Sequence, residues 1–348
     1  MKDITVKLDI TIRQAMKVLE KTAEKCLLVV DENNKLLGTL TDGDLRRSIL
    51  DGVKFSEHIS ASCNSEPTVL IKEKYTTEEA KQLLRDLKLD LIPVVDENHK
   101  VVEYVNWLGL RDEIQPKIKL GNVPVVIMAG GKGTRMEPFT KILPKPLVPI
   151  QEKPIIEHII ERFLDIGCSD FHLTVNYKGK ILKAYFEEVQ PGYQVHFIDE
   201  HEPLGTAGSL RFLHDKFNQP FFVTNCDIII KTDYSDLYEF HQKGDYDITL
   251  VASTKEYIIP YGTCQLNKDG HLDHINEKPT YDFLINVGLY ILNPDVLKLI
   301  PENKFYHITH LIEDAKNQGK KVGIFPIDDD AWVDVGEWTE YQKAVERL

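Results

Sequence analysis

The residues best suited to chemistry begin with a glycine-rich segment. Residues 125–136 read VVIMAGGKGTRM, so an apolar run leads directly into three glycines, a lysine, a threonine and an arginine. Gly130, Gly131 and Gly133 let backbone N–H groups approach anionic oxygens, and Arg135 adds a rigid fork of donors. The pattern predicts a buried strand ending in a phosphate-binding loop. A tight turn without a ligand is the alternative.

Two common phosphate loops are excluded by spacing. A Walker loop requires Gly-x-x-x-x-Gly-Lys-Ser/Thr, and no lysine here follows a glycine at that distance with a hydroxyl residue next to it. A dinucleotide-binding fingerprint requires a third glycine where Met136 stands.

A constrained lysine follows at a fixed distance. In GGKGTRMEPFTKILPKPLVPI, Lys145 lies between Pro144 and Pro146, which restrict the backbone on both sides. With the glycine loop, this segment resembles the sugar-1-phosphate nucleotidyltransferases, which make activated nucleotide sugars. The resemblance extends through most of residues 123–340.

The resemblance implies a nucleotide side formed by two loops and a strand end. EPLGTAGSL matches the second loop of the family, which passes close to base and ribose, and the asparagine of LTVNYKG stands where the family reads the base edge. The implied nucleotide-binding residues are Ala129, Gly130, Gly131, Gly133, Thr134, Asn176, Gly205, Thr206 and Ala207.

Two aspartates follow apolar segments. Asp227 in NCDI lies at the carboxyl edge of a strand, the usual ligand side of an open α/β sheet, and Asp334 in AWVDVGEW is placed in the same manner. By resemblance they are the metal pair that holds Mg²⁺, a hard cation that prefers oxygen ligands. A turn-forming role is the alternative for either aspartate.

The sugar side is also implied by resemblance. Glu277 would accept hydrogen bonds from sugar hydroxyls, and Lys278 would neutralise the sugar phosphate. The alternative for Glu277 and Lys278 is an exposed charge pair on a loop. The alternative for Asn286 and Gly288 is a strand packed in the core. The matching sugar-side residues are Tyr261, Gly262, Glu277, Lys278, Asn286 and Gly288.

The implied reaction is attack of a sugar-1-phosphate oxygen on the α-phosphorus of a nucleoside triphosphate, with release of pyrophosphate. Arg135, Lys145 and Lys278 are the implied catalytic residues: they hold pyrophosphate, offset charge at the α-phosphate and hold the incoming phosphate, respectively. The segment EHEPLGTAG is similar to the corresponding sequence of guanylyl-transferring relatives, and this similarity favours GTP as the nucleotide substrate. CTP, UTP and dTTP stay open as alternatives.

The elements that must position these residues alternate between strand and helix after residue 123. This order predicts an α/β domain with a Rossmann-like (GT-A-like), mostly parallel sheet and helices on both faces. Ile155, Ile156, Ile159, Ile160 and Phe163 mark one face of a helix. Further helices are expected at about 181–189, 206–217, 234–243 and 307–318, and a two-stranded ribbon at 262–277.

The first third of the chain contains a repeat. LLVVDENNK at 27–35 and IPVVDENHK at 92–100 are offset by 65 residues. The pair resembles a tandem CBS domain, a small α+β regulatory module that often binds adenine nucleotides. Thr41 and Asp44 match its ribose and phosphate contacts, but the same spacing is a capping box at a helix start. The second copy has Asn106 and Gly109 there, so we expect at most one nucleotide site.

The predicted domains are a CBS module at 1–115 (repeats at about 1–58 and 62–115), a linker at 116–122 and a catalytic domain at 123–348. A CBS pair fused ahead of such a domain is similar to the bacterial enzymes that make GDP-glucosamine for legionaminic acid synthesis, which favours glucosamine-1-phosphate as acceptor. Mannose-1-phosphate is the alternative. A different class stays open as well: a nucleotide-sensing module whose transferase fold is inactive.

Charge and composition limit the partners. The net charge is −13, and residues 121–348 carry 34 acidic and 23 basic side chains, so a nucleic-acid partner is not expected. With no long apolar run and no export signal, we expect a cytoplasmic protein without a membrane partner. Paired CBS modules often self-associate, so a homo-oligomer is expected. The spacings His271-x-x-His274 and His307-x-x-His310 lack the further ligands of a metal motif, and ordinary histidines are expected.

Overall fold

The computed structural model describes residues 3–22, 24–87, 89–106, 119–327, 329–338 and 340–342. These residues form two compact units, one of residues 1–116, 254–284 and 328–330, and one of residues 117–253, 285–327 and 331–348. The predicted CBS module is thus grouped with a later hairpin region of the chain. Gly109 and residues 116–118 of the predicted linker lie outside the described residues.

The strands are β1 (Thr5–Val6), β2 (Cys26–Val30), β3 (Leu36–Thr41), β4 (Leu70–Ile71), β5 (Leu91–Val95), β6 (Val101–Asn106), β7 (Val125–Met128), β8 (Pro149–Ile150), β9 (Lys153–Pro154), β10 (Asp170–Val175), β11 (Gln194–Asp199), β12 (Phe221–Asn225), β13 (Ile228–Ile230), β14 (Ile248–Ile258), β15 (Thr263–Leu266), β16 (Leu272–Asn276), β17 (Thr280–Leu292), β18 (Val322–Ile327) and β19 (Trp332–Asp334). The α-helices are α1 (Ile12–Thr22), α2 (Asp42–Leu50), α3 (Thr77–Asp86), α4 (Ile155–Leu164), α5 (Gly179–Val189), α6 (Tyr234–Lys243) and α7 (Ile308–Asn317).

In the first unit, the internal repeat is visible in the topology. One sheet has the order β1-β2-β3 and another the order β4-β5-β6, each with one parallel and one antiparallel pair. The irregularity in pairing falls between Val29 and Val30 in one copy and between Val94 and Val95 in the other, which is the 65-residue offset of the sequence. An antiparallel bridge joins Lys35 to Lys100, the same position in the two copies.

The second unit contains a seven-stranded sheet of order β11-β10-β7-β12-β17-β14-β18. β7 pairs in parallel with both β10 and β12, while β17 runs antiparallel to β12. Val125 and Ile127 of β7 pack in one apolar cluster and Val126 in another, so the strand is buried on both faces. The predicted mostly parallel α/β sheet is confirmed.

Helix α4 illustrates why the sheet is covered. Its buried residues are the five that the sequence pattern marks, Ile155, Ile156, Ile159, Ile160 and Phe163. They recur at helical spacing, so one face of the helix is apolar and packs in the core beside β7 and β10.

Two element predictions were wrong. Residues 206–217 form only a short 3₁₀ helix, Gly208–Leu213, because the loop before it is tied to a distant segment. The single strand expected to run into NCDI is interrupted, with β12 ending at Asn225 and β13 beginning at Ile228. No helix among the described residues is both long and apolar enough to cross a lipid bilayer.

Candidate active site

A cleft opens in the second unit at the carboxyl ends of β7, β10 and β12, where open α/β sheets bind ligands. Its volume is about 390 Å³. The residues that line it are Met128, Gly130, Gly131, Gly133, Thr134, Arg135, Lys145, Thr174, Glu200, Pro203, Gly205, Thr206, Asn225, Cys226, Asp227, Phe305 and His307.

The glycine loop is held against the segment of the constrained lysine. Gly133 has φ +66°, and a Cβ there would lie 2.9 Å from Thr140 Cγ2 and 3.1 Å from Lys145 Cβ. The buried Thr140 hydroxyl donates a hydrogen bond of 2.8 Å to the carbonyl of Gly133. Only glycine fits this position without strain, and the loop and the lysine are therefore positioned together.

Lys145 and the two predicted metal ligands converge on one point. Lys145, which is only 7% exposed, donates from Nζ to Asp227 Oδ2. A Cβ on Gly336 would lie 2.7 Å from Asp334 Oδ1, 2.8 Å from Asp227 Oδ2 and 2.9 Å from Lys145 Nζ. One cation and two carboxylates, far apart in the chain, thus share a small volume.

Backbone pairing brings the two carboxylates together. β13 pairs antiparallel with β19, with Ile228 opposite Asp334, and the Val335 N–H donates to the Asp227 carbonyl at 2.9 Å. The break between β12 and β13 places Asp227 in the turn that faces the cleft.

The electrostatics of this cluster suit a cation. Burial raises the pKa of Asp334, and the neighbouring Asp227 raises it further, while the hydrogen bond from the Gly336 N–H, with Lys145 and Arg135, acts in the opposite direction. Two carboxylates that share a partly buried space repel each other unless positive charge lies between them. Their oxygens are the ligand type that a hard divalent ion prefers, so Asp227 and Asp334 fit the predicted Mg²⁺ ligands.

Arg135 lies at the exposed side of the cleft. Its Nη1 is 2.7 Å from Glu337 Oε1, and 60% of its side chain is exposed. The hydrogen bond to Glu337 raises the pKa of Arg135, and Asp334 adds to the effect. A guanidinium held by an exposed carboxylate can exchange that partner for a phosphate.

The second predicted loop is fixed by backbone contacts to a distant segment. Gly205 has φ +79°, and a Cβ there would lie 2.7 Å from the Tyr306 carbonyl oxygen. That carbonyl accepts a hydrogen bond from the Ala207 N–H at 2.9 Å, and Thr206 Oγ1 accepts one from the Ile308 N–H at 3.0 Å. The loop therefore lies over the start of α7.

Four predicted residues support the cleft without lining it. The Ala129 N–H donates to the Thr174 carbonyl, and Asn176 Nδ2 donates to the Glu200 carbonyl at 2.7 Å. The other two are Ala207, which is fully buried, and Asp334.

Sequence reasoning missed Glu200, Asn225, Cys226 and His307. Glu200 is 8% exposed, and its Oε1 would lie 3.0 Å from a Cβ on Gly130. It directly follows β11 and is the first residue of the EHEPLGTAG segment, and these two positions were the available signals. Burial raises the pKa of Cys226 to about 12, which disfavours the thiolate form that a nucleophile needs. His307 was expected to be an ordinary histidine, but it lines the cleft.

The predicted sugar-side residues fall in two places. In the second unit, Asn286 Oδ1 accepts a hydrogen bond from the Gly288 N–H at 3.0 Å, and a Cβ on Gly288 would lie 2.4 Å from Nδ2 of the cleft residue Asn225. The first unit carries the others, Tyr261, Gly262, Glu277 and Lys278. There, Tyr261 is 75% exposed and a Cβ on Gly262 would lie 2.8 Å from Glu277 Oε2.

In the first unit, Thr41 and Asp44 form a capping box on α2. The Thr41 N–H and hydroxyl donate to Asp44 Oδ2 at 2.8 and 2.6 Å, and the Asp44 N–H donates to Thr41 Oγ1 at 3.1 Å. Arg47 also contacts the Asp44 carboxylate. Helix capping therefore accounts for both residues without a ligand.

Comparisons with known proteins agree with this architecture. The sequence model of the nucleotidyl transferase family matches residues 124–348, and that of the CBS domain matches residues 1–51. Mannose-1-phosphate guanyltransferase of Pichia angusta is 38% identical over 224 residues, which is 61% of this chain and 60% of that protein. The enzyme of the same name from Yarrowia lipolytica is 41% identical over 187 residues, which is 50% of each chain.

Among solved structures, HddC from Yersinia pseudotuberculosis is similar, with a TM-score of 0.51 and 28% identity over 65% of this chain and 99% of that chain. A second structure of HddC is complexed with GMP-PN. This chain spans less than two thirds of the length of the two guanyltransferases.

Proposed function

Because the chain belongs to the nucleotidyl transferase family and the matched residues include the whole cleft, we propose that it transfers a nucleotidyl group from a nucleoside triphosphate to a sugar-1-phosphate. The convergence of Lys145, Asp227 and Asp334 around Gly336 carries this proposal. In-line displacement at phosphorus needs positioning and charge neutralisation, and no covalent nucleophile.

Each charged group then has one task. Lys145 donates to the α-phosphate as negative charge grows there, and its burial strengthens the interaction because little water screens it. Arg135 leaves Glu337 to hold the departing pyrophosphate. Asp227 and Asp334 would hold Mg²⁺, which supplies Lewis-acid stabilisation of the phosphate oxygens when bound. Lys278 keeps its predicted role at the incoming phosphate by resemblance.

We propose GTP as the nucleotide, with Glu200 reading the base. An ionised carboxylate only accepts hydrogen bonds. Guanine presents two adjacent donors, N1–H and the N2 amino group, whereas uracil and thymine present one N–H and adenine and cytosine place an acceptor beside their amino group. Glu200 lies in the cleft beside Gly130, so its two oxygens match guanine best. The names of the guanyltransferase relatives support the same base.

We propose two sugar-1-phosphates as candidate acceptors of the nucleotidyl group. Glucosamine-1-phosphate is favoured by the resemblance of a CBS pair fused ahead of the catalytic domain, and mannose-1-phosphate is favoured by the names of the relatives. Pyrophosphate release with Mg²⁺, measured over a grid of nucleoside triphosphates and hexose-1-phosphates, distinguishes them. We expect release with GTP and one of these two acceptors. No release from any pair would favour the nucleotide-sensing alternative.

The catalytic assignment is tested by Lys145→Ala against Lys153→Ala, an exposed lysine paired with Glu161. We expect Lys145→Ala to lower kcat by about 10²-fold or more and Lys153→Ala to leave it unchanged, because only Lys145 meets the reacting phosphate. Near-normal turnover by a folded Lys145→Ala protein would refute the assignment.

Glu200→Gln tests the base. The amide replaces one acceptor by a donor, so we expect kcat/KM for GTP to fall by about 10-fold or more, since a buried unmatched donor costs ~1–3 kcal/mol. The ratio of GTP to UTP turnover is the readout. An unchanged ratio would remove Glu200 from base recognition.

We also propose that a nucleotide at Thr41 and Asp44 regulates the enzyme. The CBS pair belongs to the same compact unit as the sugar-side residues Tyr261 and Glu277, and Arg13 Nε of α1 lies 3.2 Å from Glu256 Oε2 of β14. AMP or ATP should raise the melting temperature of the full chain, and Asp44→Ala should abolish the rise. No shift with any nucleotide would leave the pair as a structural module.

A further inference from the structure

A second cluster of ligand-type side chains lies on the sheet of the second unit, away from the cleft. It consists of Asp170 and His172 on β10 and His196 on β11, and we call it the His-His-Asp cluster. One potential ligand atom from each residue lies within 4.8 Å of the others.

Strand register creates this cluster. β10 and β11 are parallel, with His172 paired to His196, and Asp170 lies two residues before His172 on the same face of β10. The imidazole rings stack with centroids 4.8 Å apart. Asp170 Oδ1 lies 3.1 Å from His172 Nε2 and 3.4 Å from His196 Nε2.

The central atoms of the cluster lack good partners. His172 is only 9% exposed, and neither its Nε2 nor Asp170 Oδ1 makes a well-formed hydrogen bond in the described part of the chain, although both atoms are buried. These two atoms contact each other at 3.1 Å without the alignment of a hydrogen bond. A buried polar atom whose hydrogen bonding is incomplete costs free energy, so the arrangement favours a bound group that would satisfy both.

We propose that Asp170, His172 and His196 form a binding site for a transition-metal ion such as Zn²⁺. Two imidazole nitrogens and one carboxylate oxygen suit Zn²⁺ better than Mg²⁺. Bonds of ~2.0–2.2 Å in a tetrahedral site require ligand atoms separated by about 3.3 Å, which is close to the two measured distances. Half of the His196 side chain is exposed, so an ion can enter from solvent and the fourth position is open to water.

Packing defines the surroundings of His172. Phe217 packs its ring edge-on against His172 and His196 stacks on it, so the imidazole lies beside Asp170 Oδ1. A neutral imidazole offers a lone pair on one ring nitrogen to a metal ion.

The site is separate from the proposed catalytic centre. Asp170 begins β10, whereas the cleft lies at the carboxyl end of that strand, about 16 Å away for six residues. A bound ion would join β10 to the edge strand β11, and these strands lead to Asn176 and Glu200. The ion would therefore stabilise the fold on the base side of the cleft.

Zinc binding by the full-length protein tests this proposal. The protein is stripped with a chelator, supplied with excess Mg²⁺ to occupy the Asp227 and Asp334 site, and dialysed against Zn²⁺. We expect one tightly bound Zn²⁺ per chain and a rise in melting temperature that Mg²⁺ alone does not produce. His196→Gln should weaken binding by at least about 10-fold and abolish the rise.

His274→Gln is the matched control, because His274 is an exposed strand histidine outside the cluster. It should retain the zinc and the thermal shift. Asp170→Asn keeps the shape of the side chain and should weaken zinc binding as His196→Gln does. Equal zinc binding by the wild type and His196→Gln, or loss of the zinc in His274→Gln, would overturn the proposal. Pyrophosphate release with Mg²⁺ should persist in His196→Gln, so failure of the zinc site and failure of the proposed function are distinguishable.

Discussion

Replacing Gly336 by alanine puts a methyl group among the three charged groups of the proposed active site. The added Cβ would lie 2.7–2.9 Å from Asp334 Oδ1, Asp227 Oδ2 and Lys145 Nζ. Each group must retreat by about 0.5–0.7 Å to reach 3.4 Å, where ordinary contact begins. Since all three are held by one another or by backbone, they cannot retreat without changing their mutual geometry.

The expected effect follows from positioning. A displacement of about 1 Å at a reacting centre costs roughly 10²-fold in rate, so we expect Gly336→Ala to lower kcat by about 10–100-fold, or ~1.4–2.7 kcal/mol of barrier. Stability should change little, because alanine reduces the entropy of the unfolded chain and offsets part of the local crowding. The assay is pyrophosphate release at saturating GTP and acceptor, with thermal melting of the same preparations.

Gly192→Ala is the control, since a Cβ there has no neighbour within 4 Å. It should melt and turn over like the wild type. A Gly336→Ala enzyme with kcat within about two-fold of the wild type would refute the reasoning, because the three groups would then not need the geometry that the structure shows.

Three further predictions concern stability. Thr41→Ala removes the capping box shared with Asp44 and should lower the free energy of unfolding by about 1 kcal/mol, measured by chemical denaturation; an unchanged value would contradict the capping role. Gly205→Ala forces a side chain to adopt φ +79° against the Tyr306 carbonyl, so it should cost more than the ~1–2 kcal/mol of a left-handed backbone and weaken GTP binding; a wild-type-like melt and affinity would show that the loop can move. Burial lowers the pKa of His241, so the unfolded chain binds the extra proton and stability should fall as pH drops below about 6.5, less steeply in His241→Gln; parallel slopes would exclude this histidine.

The parts of the fold that sequence predicts well are those with a local cause. The apolar face of α4 follows from helical spacing alone, and the ribbon of β15 and β16 turns at Asn267 to Gly270 as its residues indicate. The 65-residue repeat is also visible as two sheets with the same strand pairing, because each copy encodes its own strands and turns.

The wrong predictions have long-range causes. The 206–217 segment has helical composition, but Ala207 and Gly208 donate their N–H groups to the Tyr306 carbonyl, and this contact competes with the start of a helix. Glu200 is the first residue of the EHEPLGTAG segment, but only the place of that residue at the end of β11 makes it a cleft residue. Likewise, Arg13 and Glu256 are 243 positions apart, so no local pattern places the 254–284 region in the first unit.

The two carboxylates show how narrowly the site depends on one such long-range pairing. Side chains alternate between the faces of a strand, so a shift of β19 by one residue against β13 would turn Asp334 away from Asp227. Both strands have only three residues, and the Val335 N–H bond to the Asp227 carbonyl extends their pairing by one contact. Because Gly336 follows at once and leaves room for both carboxylates and Lys145, the register of this short ribbon determines whether the aspartates can act on one ligand.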